Sequence, residues 1–330
     1  MKRFVLPRAR PRARFASACL LLACLCCAQA HGQAWPQRAV KLVVPYAAGG
    51  NTDTMARLVA RHLHAVFGQP FIVENHVGAG GVVATELVAR AIPDGYTLLF
   101  ASNGQLEIQP HVQRVRYDPF RDFAPVFPLG INCFVLGVSS TVPAKTVDEL
   151  VAYARSHPGA LNYGSGGVGS VGHLAGAMFA KRAGVELAFV PYKGAAQTAT
   201  ALAAGEIQMY LGTFADVVPQ AQGARIRLLA VSSPARDPRL PGVPALAERY
   251  PGFAVLTWNG LLAPAGTPRA IVERLAAECR PMVEDGDTAA RLRDMGVDPD
   301  CMPPDAFAAM LRQGYAEFGK AAGDAGLRPE

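Results

Sequence analysis

The sequence predicts an α/β protein in which two lobes, each built on a mostly parallel sheet, enclose a cleft. Strand and helix patterns alternate in two successive series along the chain, which is typical of parallel sheets. The 330 residues exceed the usual size of one domain. With 51% hydrophobic and 18% charged residues, the composition excludes a disordered chain. We expect a leader in residues 1–30, a first lobe in residues 31–133 and 255–330, and a second lobe in residues 134–254.

The first thirty residues have the pattern of a secretory signal peptide. A basic stretch from Lys2 to Arg14 precedes the apolar run Phe15–Ala28. This run is shorter than the roughly 20 residues that a helix needs to span a bilayer. Cleavage after Ala30 would release a periplasmic protein. The alternative is a lipid anchor on Cys24, because the preceding residues resemble a lipobox.

The leader also explains the net charge of +6. Six basic residues precede residue 15, whereas residues 31–330 carry 26 basic and 26 acidic side chains. A neutral body lacks the concentrated positive charge that attracts nucleic acid or an anionic membrane surface. We therefore expect no nucleic-acid partner.

Three cysteines follow the leader: Cys133, Cys279 and Cys301. Their number is odd and they are far apart, so we expect buried free thiols. The alternative is one disulfide between Cys279 and Cys301, which would close the shortest loop. Neither the cysteines nor the histidines have the spacing of a zinc site, and we expect no metal and no cofactor.

The first lobe begins with the β-branched run Val40–Tyr46, the pattern of a buried strand. Asn51 or Thr52 caps the helix that follows, and Gly68 ends it. The patterns then predict a strand at Phe71–Glu74, a helix at Val82–Ala91 and a strand at Thr97–Ser102.

The second series repeats this alternation. Strands are predicted at Leu161–Gly164, Leu187–Pro191, Ile207–Leu211 and Arg227–Val231, and helices at Lys145–Ser156, Ser170–Ala183 and Ala195–Ala204. A later strand pattern at Phe253–Leu262 is followed by helices at Pro268–Met282, Asp287–Met295 and Pro304–Ala322. This return of strand and helices indicates that the C-terminal segment rejoins the first lobe.

Two glycine-rich loops are the candidate binding elements, because ligands of such sheets bind at the carboxyl ends of the strands. They are Tyr46–Asp53 and Ser165–His173, and both run from a strand into a helix. Free backbone N–H groups at a helix N-terminus bind a carboxylate or phosphate without any basic side chain. The alternative is that the glycines serve only tight turns and close packing.

Individual residues in these loops have structural alternatives as well. Asp53 could cap the helix or offset its dipole instead of contacting a ligand. His173 could donate to a ligand or pack in the interior. Lys193 follows a strand and could meet an anion, although lysine is commonly exposed.

An exported enzyme is the opposing hypothesis. Residues Gly164–Gly169 satisfy the dinucleotide pattern G-x-G-x-x-G between a strand and a helix, and Glu186 lies near the position of a ribose contact. Export would separate such an enzyme from the nicotinamide pool. A nucleophile elbow is excluded, because Tyr163 stands where the motif needs glycine.

Many motifs, in order, resemble the periplasmic receptors of tripartite tricarboxylate transporters, often called the Bug family. The segments are Trp35–Arg38, Val43–Arg57, Val73–Asn75, Gly78–Gly81, Pro93–Leu99, Tyr117–Pro119, Asp122–Val126, Leu161–Gly176, Val190–Gly194 and Ala263–Pro268. The resemblance implies a type II periplasmic-binding-protein fold that closes on a small carboxylate. Expected partners are membrane subunits of a transporter or, for an orphan sensor, a signalling protein.

The resemblance also implies a set of ligand-binding residues in the two loops and in the glycine turn at Gly78–Gly81. This set comprises Ala48, Gly50, Thr52, Asp53, Ala79, Gly169, Ser170 and His173. The chain departs from the family pattern at Gly212, where the family often carries an aspartate able to pair with a ligand amino group. Val171 and Gly172 replace residues that often carry hydroxyl groups. These departures predict a carboxylate ligand without an ammonium group.

Overall fold

The structure is a computed structural model that describes residues 35–329. The predicted leader, its cleavage site and Cys24 lie outside the described residues. Contacts divide the chain into residues 1–37 and one compact unit of residues 38–330. The described strands and helices belong to the second unit, and the lobe boundaries at residues 133 and 254 stay a prediction.

The first lobe contains a parallel three-stranded sheet with β1 at its centre. β1 pairs in parallel with β2 on one side and with β3 on the other. Helix α1 ends where Gly68 adopts a left-handed conformation with φ 69°, which glycine accommodates without strain. The elements are β1 Val40–Val44, α1 Asn51–Phe67, β2 Phe71–Asn75, α2 Val82–Ala89 and β3 Thr97–Ser102.

The second lobe repeats this arrangement with β5 at the centre of its parallel strands. β5 pairs in parallel with β6 and with β7. A wide turn at Gly104–Ile108 and the short α3 Gln109–Val112 precede β4, which leads into this lobe. The elements are β4 Phe123–Ser139, α4 Val147–Ser156, β5 Asn162–Ser165, α5 Val171–Ala183, β6 Ala188–Pro191, α6 Ala195–Ala204, β7 Met209–Thr213, α7 Phe214–Ala221, β8 Ile226–Val231 and α8 Leu246–Arg249.

The C-terminal segment returns to the first lobe. β9 pairs antiparallel with β3, and Phe307 of the last helix packs in the first-lobe core with Leu99 and Trp258. The elements are β9 Leu256–Pro264, α9 Arg269–Ala277, α10 Cys279–Glu284, α11 Gly286–Asp294, β10 Val297–Pro299 and α12 Pro304–Asp324.

The strands of both lobes form one mixed sheet in the order β2-β1-β3-β9-β4-β7-β5-β6. The seventeen-residue β4 pairs antiparallel with β9 in one lobe and with β7 in the other. β8 and β10 pair with β4 off this path. The two lobes and their parallel triplets confirm the predicted fold class. The sequence patterns did not predict the long antiparallel β4, nor the shorter elements α3, α7, α8 and β10.

The cysteines correct one expectation. Cys279 and Cys301 form a disulfide with a Cα–Cα distance of 6.0 Å, so the expectation of free thiols at these two positions was wrong. The bond connects the start of α10 with the segment after β10. Cys133 is free and buried, as predicted.

Candidate functional site

A cavity lies between the two lobes at the carboxyl ends of the parallel strands. Residues that end or follow β1, β3, β5 and β7 line it, together with residues of β4 and β9. Its empty volume, with the open mouth included, is about 540 Å³. The lining residues are Tyr46, Gly50, Asn51, Thr52, Ser102, Phe134, Ser165, Gly166, Ser170, Val171, Gly172, Ala195, Tyr210, Thr213, Asp216, Thr257 and Asn259.

Four helices direct their N-termini at this cavity. α1 and α5 begin at Asn51 and Val171, and α6 begins at Ala195. α7 follows Thr213, its N-cap residue, which also lines the cavity. Each helix N-terminus carries about half a positive charge, and its first N–H groups have no partner within the helix. The Asn51 N–H already donates to Asp216, and the His173 N–H donates to Ser170 Oγ. Among the described lining residues none is Lys, Arg or His, so the positive potential comes from the backbone.

The first predicted loop contributes two of its four predicted residues to the cavity wall. Gly50 and Thr52 line it, and Thr52 Oγ1 donates to Asn259 Oδ1 at 2.8 Å. This bond orients the amide of Asn259 on β9. Ala48 is exposed and lies outside the lining set.

Asp53 is buried behind the cavity wall, and its carboxylate binds neighbouring protein groups. It accepts from the Gly49 N–H at 3.0 Å, from two Arg57 nitrogens at 2.9 Å each and from Asn75 Nδ2 at 2.9 Å. Burial alone would raise the pKa of Asp53, but these hydrogen bonds together lower it. The contacts shown give Asp53 the role of holding the loop against α1 and β2.

The glycine turn that contains Ala79 contacts the second-lobe loop instead of the cavity. The Ala79 carbonyl accepts from Gln113 Nε2 at 2.8 Å. Gln109 Nε2 donates to the carbonyls of Gly80, at 2.9 Å, and Val168, at 2.6 Å. A Cβ atom at Gly80 would overlap the Val168 carbonyl, so glycine is required for this approach of the two loops.

The second predicted loop is internally hydrogen-bonded. Ser170 lines the cavity, and its Oγ lies 2.7 Å from Ser165 Oγ and accepts from the His173 N–H at 3.3 Å. His173 Nδ1 accepts from the Gly169 N–H at 3.1 Å.

The His173 ring is buried and stacks on Phe189 with centroids 4.0 Å apart. Burial lowers the pKa of His173 to about 4, so the ring is neutral at pH 7. His173, like Ala79, borders a second, larger opening behind the two loops.

The glycines of the G-x-G-x-x-G pattern pack against protein in this structure. A Cβ at Gly164 would lie 2.5 Å from the Ile207 side chain, and one at Gly169 would lie 2.5 Å from Gln109. Close packing therefore explains why glycine occupies both positions.

Sequence reasoning missed an acidic residue in the cavity. Asp216, in the first turn of α7, is 9% exposed and accepts from Thr213 Oγ1 at 2.5 Å. Burial raises the pKa of Asp216 to about 6, and hydrogen bonds from Thr213 and from the Asn51 N–H limit that rise. The expectation of a ligand without an ammonium group rested on Gly212, and Asp216 removes that premise. The sequence signal that could have identified Asp216 is an acidic residue in the first helical turn after a strand.

Tyr46 is a second residue that the sequence analysis did not select. Its hydroxyl accepts from Gln105 Nε2 at 2.8 Å, and burial raises its pKa, so it stays protonated at neutral pH. The sequence signal that could have identified Tyr46 is its position just after β1, at the carboxyl end of a parallel strand.

A family model for the receptor of the tripartite tricarboxylate transporter family matches residues 55–321. This chain belongs to that family. Two curated proteins are similar to most of the chain. The UPF0065 protein in the tcbD-tcbE intergenic region of Pseudomonas sp. (strain P51) is 37% identical over 281 residues, 84% of each chain. Protein BugT of Bordetella pertussis is 31% identical and covers 82% of this chain and 84% of its own.

Solved structures of similar receptors share the fold. R. palustris Rpa4515, solved with adipate, has a TM-score of 0.87 at 35% identity, covering 90% of this chain and 100% of its own. MatC (Rpa3494) from Rhodopseudomonas palustris, solved with bound malate, has a TM-score of 0.80 at 31% identity, covering 87% of this chain and 99% of its own. This chain is therefore a solute-binding receptor of the periplasmic-binding-protein class.

Within residues 35–329, no helix is long and apolar enough to cross a bilayer.

Proposed function

We propose that this receptor captures a small carboxylate in the interlobe cavity and delivers it to a tripartite tricarboxylate-type uptake system. The observation that supports this is the convergence of four helix N-termini on a wall whose described residues include no basic side chain. N–H groups fixed in this way bind a carboxylate by charge-assisted hydrogen bonds. The dicarboxylates adipate and malate in two similar receptors support the same ligand class.

The proposed ligand-binding residues are those of the sequence-based set. Gly50, Thr52 and Ser170 lie in the cavity wall. The other five act on the ligand through the position of the loops: Ala48, Asp53, Ala79, Gly169 and His173. Tyr46 and Asn259 extend the set, because both are polar, line the cavity and are oriented by hydrogen bonds.

Closure of the two lobes on the ligand completes the proposed mechanism. We assign the first lobe to residues 31–133 and 255–330 and the second to residues 134–254. The segments 132–138 and 254–258 are the proposed hinge, in which Cys133 pairs with Leu256. Donors from both lobes favour the closed state, and no catalytic step follows.

The rest of the proposal concerns the route to the periplasm and the partner there. Residues 1–30 direct export, with a lipid anchor on Cys24 as the alternative. The loaded receptor then contacts membrane subunits of the transporter or a signalling protein.

Removing one N–H donor tests the site. Ala195 is the first residue of α6, where proline fits the helix and removes only an N–H group. We expect Ala195→Pro to weaken carboxylate binding about 10- to 100-fold in calorimetry, the effect of one hydrogen bond to a charged group. Gly286→Pro, at the exposed start of α11, is the matched control and should bind normally.

Two further measurements separate a receptor from an enzyme. Small-angle scattering should show a more compact protein with ligand, and mass spectrometry should recover the ligand unchanged. Conversion of the compound, or equal affinity in Ala195→Pro and the native protein, would refute the proposal.

A further inference from the structure

Asp216 places a carboxylate in the wall of the cavity, and its surroundings leave that carboxylate incompletely satisfied. An ionised carboxylate has about four positions for hydrogen-bond donors. Three donors are present: Thr213 Oγ1 at 2.5 Å, and the backbone N–H groups of Thr213 and Asn51. One position remains for a group in the cavity.

The charge of Asp216 also lacks a counter-charge among the described lining residues. These residues include no Lys, Arg or His, and Tyr46 and Tyr210 are neutral, because burial raises the pKa of both hydroxyls. A buried carboxylate is stable when it is paired with a positive group. The cavity itself is the open side from which such a group can approach.

Asn51 supplies a second acceptor in the same corner of the cavity. Its side chain is 5% exposed, and its Oδ1 atom has no hydrogen-bond partner. The backbone of Asn51 hydrogen-bonds to Asp216, so the two side chains come from adjoining positions on opposite lobes. The Asp216 carboxylate and Asn51 Oδ1 are therefore two buried acceptors that can still accept a hydrogen bond where the lobes meet.

We propose that the ligand carries an ammonium group, which binds Asp216 and Asn51 Oδ1 while the helix N-termini bind its carboxylate. This inference rests on the proposed function and specifies its ligand class as amino-substituted carboxylates. A hydroxyl group offers one donor and no charge. An acid with neither group brings further negative charge towards Asp216. The affinity order is therefore the amino acid first, the hydroxy acid second and the unsubstituted acid third.

A panel of matched acids tests this order by calorimetry on the full mature chain. Each set contains an unsubstituted acid with its 2-hydroxy and 2-amino derivatives, such as succinate, malate and aspartate, or adipate, 2-hydroxyadipate and 2-aminoadipate. Aromatic sets extend the panel. We expect the native protein to bind the amino member about 10- to 100-fold more tightly than the unsubstituted member.

Variants assign the preference to the two acceptors. Asp216→Asn should abolish or reverse the preference, and Asn51→Ala should reduce it while keeping the backbone N–H. Asp287→Asn makes the same change at an exposed acid of α11 and should leave the preference unchanged. Circular dichroism checks that each variant is folded, and Asn51→Ala serves as the test if Asp216→Asn is not.

The outcomes separate this inference from the proposed function. Equal or tighter binding of unsubstituted acids by the native protein would overturn the inference and leave the carboxylate receptor intact. An amino-acid preference that survives in both variants would also overturn it. If neither the native protein nor folded Asp216→Asn binds any acid of the panel, the proposed function itself fails.

Discussion

Glu107 provides the sharpest test of the electrostatics of this fold. It is 1% exposed, and Trp258 Nε1 donates to its Oε1 at 2.9 Å. Its other oxygen faces the backbone of α12, where a Cβ at Gly314 would overlap it. Burial raises the pKa of Glu107 to about 8, Glu317 adds to the rise, and hydrogen bonds from Trp258 and Asn103 oppose it.

The sign and size of the effect on stability follow from this pKa. Between pH 4.5, the ordinary value, and pH 8 the folded protein holds a proton that the unfolded chain releases, so the free energy of unfolding falls as pH rises. At about 1.4 kcal/mol per pKa unit, the loss amounts to about 5 kcal/mol. Glu107→Gln keeps the shape and the Trp258 bond and removes the titration. The difference in unfolding free energy between pH 5 and pH 8.5, which covers most of this range, should therefore shrink by about 4 kcal/mol.

Urea unfolding of the native protein and Glu107→Gln at several pH values measures this difference. Glu273→Gln, at an exposed position paired with Arg269, is the control and should follow the native pH profile. Parallel profiles for the native protein and Glu107→Gln would refute a buried, protonated Glu107.

Three other substitutions probe the loops and the disulfide. Gly80→Ala should lower stability by about 1–3 kcal/mol and weaken ligand binding, because its Cβ would meet the Val168 carbonyl; unchanged thermal unfolding and calorimetry would contradict the loop contact. Replacing Cys279 and Cys301 by serine should cost about 3 kcal/mol in urea unfolding, since the disulfide spans 22 residues; equal stability of oxidised native protein and variant would contradict this. Asp53→Asn should cost about 1–3 kcal/mol at pH 7 and progressively less as the pH falls below the ordinary value of 3.8, because its pKa is lowered in the folded protein; a loss that does not change with pH would contradict the assigned hydrogen bonds.

Local patterns predicted most of the elements, because the parallel strands are short runs that end at a polar or glycine-rich loop. β4 could not be predicted in this way. Pro125, Pro128 and Gly130 interrupt its sequence, and its strand conformation depends on pairing with β9 and β7, which are distant in the sequence.

The candidate site was predicted in part for the same reason. Thr52 and Ser170 belong to loops whose local sequence signals a helix N-terminus. Asp216 was missed because its place in the cavity wall depends on the contact with Asn51 in the other lobe, and only the tertiary structure brings these two residues together. For Asp53 the sequence left a structural role and a ligand contact both open. Its hydrogen bonds to Arg57 and Asn75, which favour the structural role, form only once β2 is in place.

The path of β4 has a mechanical consequence. β4 runs from the first lobe, where it pairs with β9, into the second, where it pairs with β7. Rotation of one lobe must therefore twist this hydrogen-bonded ribbon, and the ribbon resists that twist elastically. The register of this ribbon is irregular near Pro125 and Pro128, whereas Ile131 to Cys133 pair regularly with Leu256 to Trp258. Deuterium uptake at the amides of this regular stretch would therefore report how far the ribbon deforms in each opening of the receptor.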